Sequence, residues 1–343
     1  MAIIFDGHND SLTKPDHDRF VGGREEGHLD IPRMAEAGMR GGIFAVFIRS
    51  LETADWRPAL SKRPGGAGPA PELAHEPAAA LATEAAGRLF AMEREGAMRV
   101  ARKVEDINAA AESGPPAAVL HLEGAEPIDA GLEALDLWYG AGLRSLGPVW
   151  SRPNAFGTGV RFRYPSTPDI GPGLTDAGKA LVRRCAELGI VFDLAHMNEA
   201  GFWDTAEIGA APLVVSHAAT HAICPNSRNL TDAQIDAVGA TGGLVGIVFA
   251  PAFLRPDGKN QTEGTPLDLI VRHARHIADR IGVEHVALGS DFDGTEVPDA
   301  LGDVTGLPAL LDEFAKHGFT AAEIDQIAWS NWRRTLARCW NEA

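Results

Sequence analysis

Cysteine is scarce in this chain. Cys185, Cys224 and Cys339 are the full complement of three in 343 residues. The odd count, wide spacing and lack of any CxxC pair argue against a zinc ribbon, a redox centre or a disulfide framework, and read as reduced thiols. Basic charge is also short: 31 Lys and Arg stand against 47 Asp and Glu, for a formal net charge of -16. Such a surface repels phosphate backbones and anionic lipid, so nucleic acid and membrane surfaces are not expected partners. No apolar run is long enough to span a bilayer. The first ten residues carry no basic stretch followed by an apolar one, as a secretory signal would. The expectation is a cytoplasmic protein. Internal repeats, low-complexity tails and linkers are missing too, as is the early glycine-rich phosphate loop of many doubly wound sheets.

With 45% hydrophobic and 23% charged residues, the chain can bury a substantial core without cross-links. Apolar or β-branched runs at 2–5, 42–48, 117–122, 143–149, 190–194, 212–216, 244–249 and 285–288 are nearly continuous, as parallel strands covered on both faces require. Helical patterns fall between them, at 77–111, 130–141, 175–188, 199–208, 231–238 and 266–281, with terminal helices at 321–329 and 331–340. Thr175-Asp176 and Thr231-Asp232 look like helix starts, since both residue types cap exposed amides. Eight strands alternating with helices predict a (β/α)8 TIM barrel, a single α/β catalytic domain over 1–343, with an open doubly wound sheet as the rival. Pro- and Gly-rich segments after strands, at 49–76, 150–174, 250–265 and 291–306, are long, whereas those after helices are short. Barrels place their active sites on such loops at the carboxyl ends of strands.

The strand ends carry the chemistry. Strand one ends in Asp6-Gly7-His8-Asn9-Asp10, where alternation points His8 and Asp10 the same way. Strand three ends in His121-Leu122-Glu123, strand five in Asp193-Leu194-Ala195-His196, strand six in Ser216-His217, and strand eight in Gly289-Ser290-Asp291-Phe292-Asp293. A closed barrel brings these ends to one mouth. Several carboxylates in a partly dry cavity repel one another, and a divalent cation removes that cost. Imidazole and carboxylate suit zinc, with Mn, Co and Fe as alternatives. Two metals bridged by one carboxylate and a hydroxide would use five ligands, here His8, Asp10, Glu123, His196 and His217, and act as a metal-dependent hydrolase. Taken singly, a His at a strand end is more often structural. His121 reads as a core or supporting residue, Asp6 and Asp293 as supports or caps. His221, four residues after His217, offers a weaker metal pairing.

These pieces, with Leu122-Glu123-Gly124, Ser227-Arg228-Asn229 and Asp291-Phe292-Asp293-Gly294, resemble in type and order the renal (membrane) dipeptidase family, the M19 zinc peptidases on an amidohydrolase-like barrel. The resemblance implies a binuclear zinc dipeptidase: His8 and Asp10 on the first zinc, Glu123 bridging, His196 and His217 on the second. It implies Asp291 as the group that takes a proton from the bridging water and passes it to the leaving amine, and Arg228 as partner of the substrate carboxylate. It further implies dipeptide substrates, L,D-dipeptides such as L-Ala-D-Ala among them, and is compatible with a homodimer. One departure stands out. Where the family often has a His after strand four, Trp150 takes the place and joins the substrate-contacting candidates, with Arg152 or Arg161 as alternative stabilisers of the transition state. That departure keeps open a hydrolase of another amide, a lactone or an N-acyl amino acid. A degenerate barrel that binds without turnover is the non-enzyme alternative.

Overall fold

The computed structural model describes residues 2–49 and 71–342. Within them the apolar runs become parallel strands: β1 (Ile4–Asn9), β2 (Met39–Phe47), β3 (Ala117–Glu123), β4 (Leu143–Gly147), β5 (Val191–Phe192), β6 (Val214–Ala218), β7 (Leu244–Ile247) and β8 (Val286–Leu288). The first five pair in chain order and the last three form a second run. Parallel bridges Asp193↔Val214 and Asn9↔Phe292 join the two runs at both seams. Across them the Leu194 amide donates to the Val214 carbonyl and the Asp10 amide to that of Phe292, each at 2.9 Å. The sheet therefore closes on itself, and the (β/α)8 barrel expectation holds.

The helices are α1 (Ile31–Ala37), α2 (His75–Arg94), α3 (Val104–Glu112), α4 (Glu133–Ala141), α5 (Asp176–Leu188), α6 (Glu199–Ile208), α7 (Asp232–Ala240), α8 (Asp268–Ile281) and α9 (Leu307–Lys316), followed by shorter C-terminal helices. The two expected starts are real caps: Thr175 accepts the Gly178 amide and Thr231 that of Gln234. The single helical pattern expected over 77–111 is corrected. Gly96, at φ +73°, ends the chain's course after α2, and a short strand, Arg99–Val100, pairs with β3 before α3 begins. Helices α1 and α9 were not anticipated. Most of the loop expected at 49–76 lies outside the described residues.

Inside the barrel, Phe5, Ile43, Val119, Val191, Val214, Leu244 and Ala287 form an apolar floor with Trp329 and Trp332 from the C-terminal helices. Trp332 donates its indole N–H to the Leu288 carbonyl at 2.8 Å, so the floor buries no orphan donor there. Above the floor, Gly7 takes the place of a side chain: a Cβ there would lie 2.4 Å from the Trp332 ring. The polar residues begin on top of this layer.

Candidate metal centre

The register of β1 against β2 shifts between Asp6 and Asn9. This irregularity brings His8 into the barrel directly after the inward Gly7. The His8 ring is fully buried and lies against that of His217, tilted by 34° with centroids 3.9 Å apart. Neither of its nitrogens has a hydrogen-bond partner among the described residues. Its Nε2 lies 3.6 Å from Glu123 Oε1 and 3.8 Å from Asp10 Oδ1. Glu123, at the top of β3, also reaches His196 Nε2 at 2.9 Å and His217 Nε2 at 3.7 Å. Ligand atoms of Glu123, His196 and His217 form one close group, and those of His8, Asp10 and Asp291 another. A third grouping joins His8 and His217 to Asp193. All five residues expected as ligands are thus brought together, with Glu123 between the two sides.

Proton bookkeeping argues that a cation belongs here. Ser216 Oγ donates to Asp193 Oδ2 at 2.5 Å, and the Ser216 amide donates to Asp193 Oδ1 at 2.7 Å. With its proton committed, Ser216 Oγ accepts from His217 Nδ1 at 2.8 Å. His217 is buried and its pKa is pushed well below the ordinary value, first by desolvation and then by His8 and Arg228. A neutral ring protonated on Nδ1 leaves a bare lone pair on Nε2. That nitrogen faces His196 Nε2 at 3.0 Å. The His196 ring, likewise kept neutral by burial and by Arg228, is held through Nδ1 by Ser151 at 2.7 Å. Where Ser151 accepts from His196 Nδ1 in the same way, the two Nε2 lone pairs face each other beside Glu123, an arrangement that a cation among them relieves. The donor set of imidazole nitrogen and carboxylate oxygen fits zinc or a similar divalent metal.

The acids tell the same story. Desolvation, then the charges of Asp10 and Asp291, push Glu123 well above the usual carboxylate range. Desolvation and Asp10 do the same to Asp291. Gly294 lets these two aspartates approach, since a Cβ there would fall 2.1 Å from Asp291 Oδ1 and 2.5 Å from Asp10 Oδ2. His196, Asp291 and Asp293 adopt φ of +64°, +61° and +66°. Non-glycine residues rarely take this conformation, and its cost is concentrated at the site.

A cavity of about 550 Å³ opens above this cluster, lined by Asp10, Glu123, His196 and Asp291 at its floor. Trp150 lines the wall, 5.7 Å from His196 and 5.1 Å from Phe47 between ring centroids. Arg228 is buried rather than a surface residue, and it donates to the His217 carbonyl at 2.8 Å. Its guanidinium lies over Phe253, and its Nε has no hydrogen-bond partner among the described residues. Desolvation lowers its pKa to about 10, against the pull of Asp291, Asp193 and Glu123. Arg152 is turned into the protein by Glu126, at 2.6 Å, and neither it nor Arg161 lines the cavity. His121 sits deeper, as expected, on Ser145 at 2.8 Å. His221 faces the Ser166 carbonyl and takes no place in the cluster. Asp6 holds Ser290 through both amide and hydroxyl, and burial pushes its pKa up to about 7. Asp293 accepts from Arg24, Ser11 and the His28 amide, tying the loop after β1 to the loop after β8.

Sequence reasoning did not single out Ser151, Ser216, Asp193 or Arg24 as orienting groups. Ser216 carried a signal, since it stands directly before His217. Arg24 carried none, because its partner is 269 residues away in sequence.

Comparison with known proteins agrees with the geometry. The family model described as membrane dipeptidase, peptidase family M19, matches residues 1–342. A metallo peptidase from Rhodobacter sphaeroides, crystallised with a phosphinate mimic of the dipeptide L-Ala-D-Ala, is 42% identical and superimposes with a TM-score of 0.95 over 99% of this chain and 100% of its own. An uncharacterised Klebsiella pneumoniae protein encoded in the pqqA 5' region is 44% identical over 72% of this chain and 91% of its own length. A dipeptidase, tcpJ, from Claviceps purpurea (strain 20.1) is 27% identical over 70% of this chain and 55% of its own length. With ligand groups, barrel and full-length match in agreement, the chain belongs to the membrane dipeptidase family, peptidase family M19.

Proposed function

We propose that this protein hydrolyses dipeptides at a binuclear zinc site, L,D-dipeptides such as L-Ala-D-Ala among them. The observation that carries the reading is the cluster of three neutral imidazoles around Glu123 at the floor of a dipeptide-sized cavity. The Rhodobacter sphaeroides relative with its L-Ala-D-Ala mimic supports the substrate class. His8 and Asp10 would hold one metal, His196 and His217 the other, and Glu123 both. When bound, such a pair acidifies water and polarises a carbonyl.

The chain's own residues do the rest. Asp291 sits beside Asp10 and His8, on the rim of the cluster and open to the cavity. It takes one proton from the attacking water as the C–O bond forms, and returns it to the amine nitrogen as the C–N bond breaks. Arg228 supplies a fixed positive field behind the imidazoles and favours a substrate with a free C-terminal carboxylate. Trp150 walls the cavity beside His196, and an indole there stays neutral throughout. It also favours a second reading, in which the same machinery opens another amide such as that of an N-acyl amino acid.

The test uses purified protein, with elemental analysis beside assays on L-Ala-D-Ala, L-Ala-L-Ala and an N-acetyl amino acid. The expected result is about two zinc ions per chain, with dipeptide hydrolysis lost on chelation and restored by zinc. Glu123→Ala is expected to abolish turnover; full activity in that variant would refute the assignment. Metal without dipeptide hydrolysis, but with N-acyl hydrolysis, would select the second reading.

A further inference from the structure

The cavity wall carries a cation that the reading above does not use. Arg163 lines the cavity, and its Nε is buried with no hydrogen-bond partner among the described residues. Other arginines nearby are satisfied: Arg24 by Asp293, Arg152 by Glu126 and Arg255 by Asp257. Of the five acids lining the cavity, Asp293 is taken by Arg24, Asp10, Glu123 and Asp291 belong to the metal cluster, and Glu296 forms no ion pair with Arg163. Arg163 is nonetheless firmly placed. Its amide donates to Ser227 Oγ at 2.8 Å, and its carbonyl accepts the Ser227 amide at 3.0 Å. Ser227 is the chain neighbour of Arg228. The Arg228 guanidinium lies over Phe253, which stacks on Phe162, the residue before Arg163, with centroids 5.7 Å apart. Arg163, on the cavity wall, thus directly follows one ring of this stacked pair in sequence, and the guanidinium of Arg228, which is buried and does not itself line the cavity, lies over the other.

A partly buried guanidinium without an anion bears a desolvation cost that an incoming carboxylate offsets. We infer that Arg163 binds a second anionic group of the substrate, and that the preferred dipeptides carry an acidic side chain on their C-terminal residue. This rests on the dipeptidase reading. The C-terminal residue is the one concerned because its main-chain carboxylate goes to Arg228, and the Ser227 clamp sets Arg163 on that side.

The test compares kcat/KM of the zinc-loaded enzyme on Ala-Asp and Ala-Asn dipeptides, which differ in charge and hardly in shape. Both L,D and L,L series are run, and each that is turned over is read. Wild type is expected to prefer Asp by about tenfold or more, the usual worth of a charge-assisted hydrogen bond. The preference should lie mainly in KM. Arg163→Gln should bring the Asp-to-Asn ratio to about one, and Arg163→Lys should restore part of it, which a merely structural role would not do. A ratio near one in wild type, or one unchanged in Arg163→Gln, overturns the inference while leaving the peptidase intact. Failure to hydrolyse any dipeptide removes the dipeptidase reading itself, and the inference with it.

Discussion

The proton of Ser216 decides what His217 can bind. Asp193 accepts that proton, so Ser216 can only accept from His217 Nδ1, and the Nε2 lone pair is aimed at Glu123 and His196. Asp193→Asn inverts the chain of donors. An amide nitrogen facing Ser216 donates to it, the Ser216 proton turns to His217 Nδ1, and the ring must carry its own proton on Nε2, where it cannot coordinate. Supporting partners of this kind typically contribute 10- to 100-fold in metal affinity. Asp193→Asn is expected to lose roughly that factor in zinc affinity by chelator competition, with the barrel still folded by circular dichroism. Unchanged affinity would show that the relay does not set the tautomer.

At the scale of elements, the site is built where strands end and loops begin, and this part was legible. A period-two alternation in a nearly continuous apolar run marks a barrel strand, and its last inward residue faces the mouth. Glu123 follows from that rule, while His8, His196, His217 and Asp291 follow only from standing at or just past a strand end. Other features were not legible, because they depend on pairings that no local pattern records. The β1 irregularity that turns His8 inward is one, and the Trp332 ring packed against Gly7 is another. The Arg24–Asp293 clamp and the Arg152–Glu126 pair join distant segments, and the burial of Arg228 reverses the surface ion pair that its residue type alone favours. Helix α1, at seven residues, is too short for an apolar period to declare itself, whereas α9 carries Leu307, Leu310, Leu311 and Phe314 at helical spacing and was legible in principle.

His273 shows the same hidden wiring away from the metal cluster. It lies on α8, fully buried, accepts the Thr220 amide at Nδ1 (2.9 Å) and faces the Leu254 carbonyl through Nε2 (3.0 Å). It thus ties the loops after β6 and β7 to one helix. Burial lowers its pKa to about 4. On acidification the unfolded chain takes up a proton near pH 6.5 while the folded ring stays neutral. Its contribution is therefore present above pH 6.5 and is lost as pH falls from there towards 4. His273→Gln should be less stable than wild type at pH 7.5 by about 1–3 kcal/mol, and the gap in melting temperature should narrow at pH 5. A gap of constant size would mean that the neutral ring's hydrogen bonds are not what holds these loops.

For the whole molecule, the metal cluster closes a ring. Its residues come from β1, β3, β6 and the loops after β5 and β8, and both seams of the barrel lie beside ligands: Asp193↔Val214 near His196 and Asn9↔Phe292 near Asp291. Without a cation, the crowded buried acids disfavour the close approach of these ends, and the seams are held by few main-chain bonds. A ligand that binds only the folded state stabilises it by about 2.7 kcal/mol at a hundred times its dissociation constant. For a chain of this size each kcal/mol moves the melting temperature by about 1–2 °C. Chelation should then lower the melting temperature by about 3–5 °C, in one cooperative transition, and zinc should restore it. The seams make a further distinction. If the metal acts as a clip across the ring, hydrogen exchange after chelation should rise at the amides of Asp10, Asp291 and Leu194, which bond across or beside the seams, more than at those of β2 and β3. Uniform exchange with an unshifted melting temperature, in protein shown to be metal-free, would mean that the barrel holds its mouth closed unaided and that the cluster serves chemistry alone.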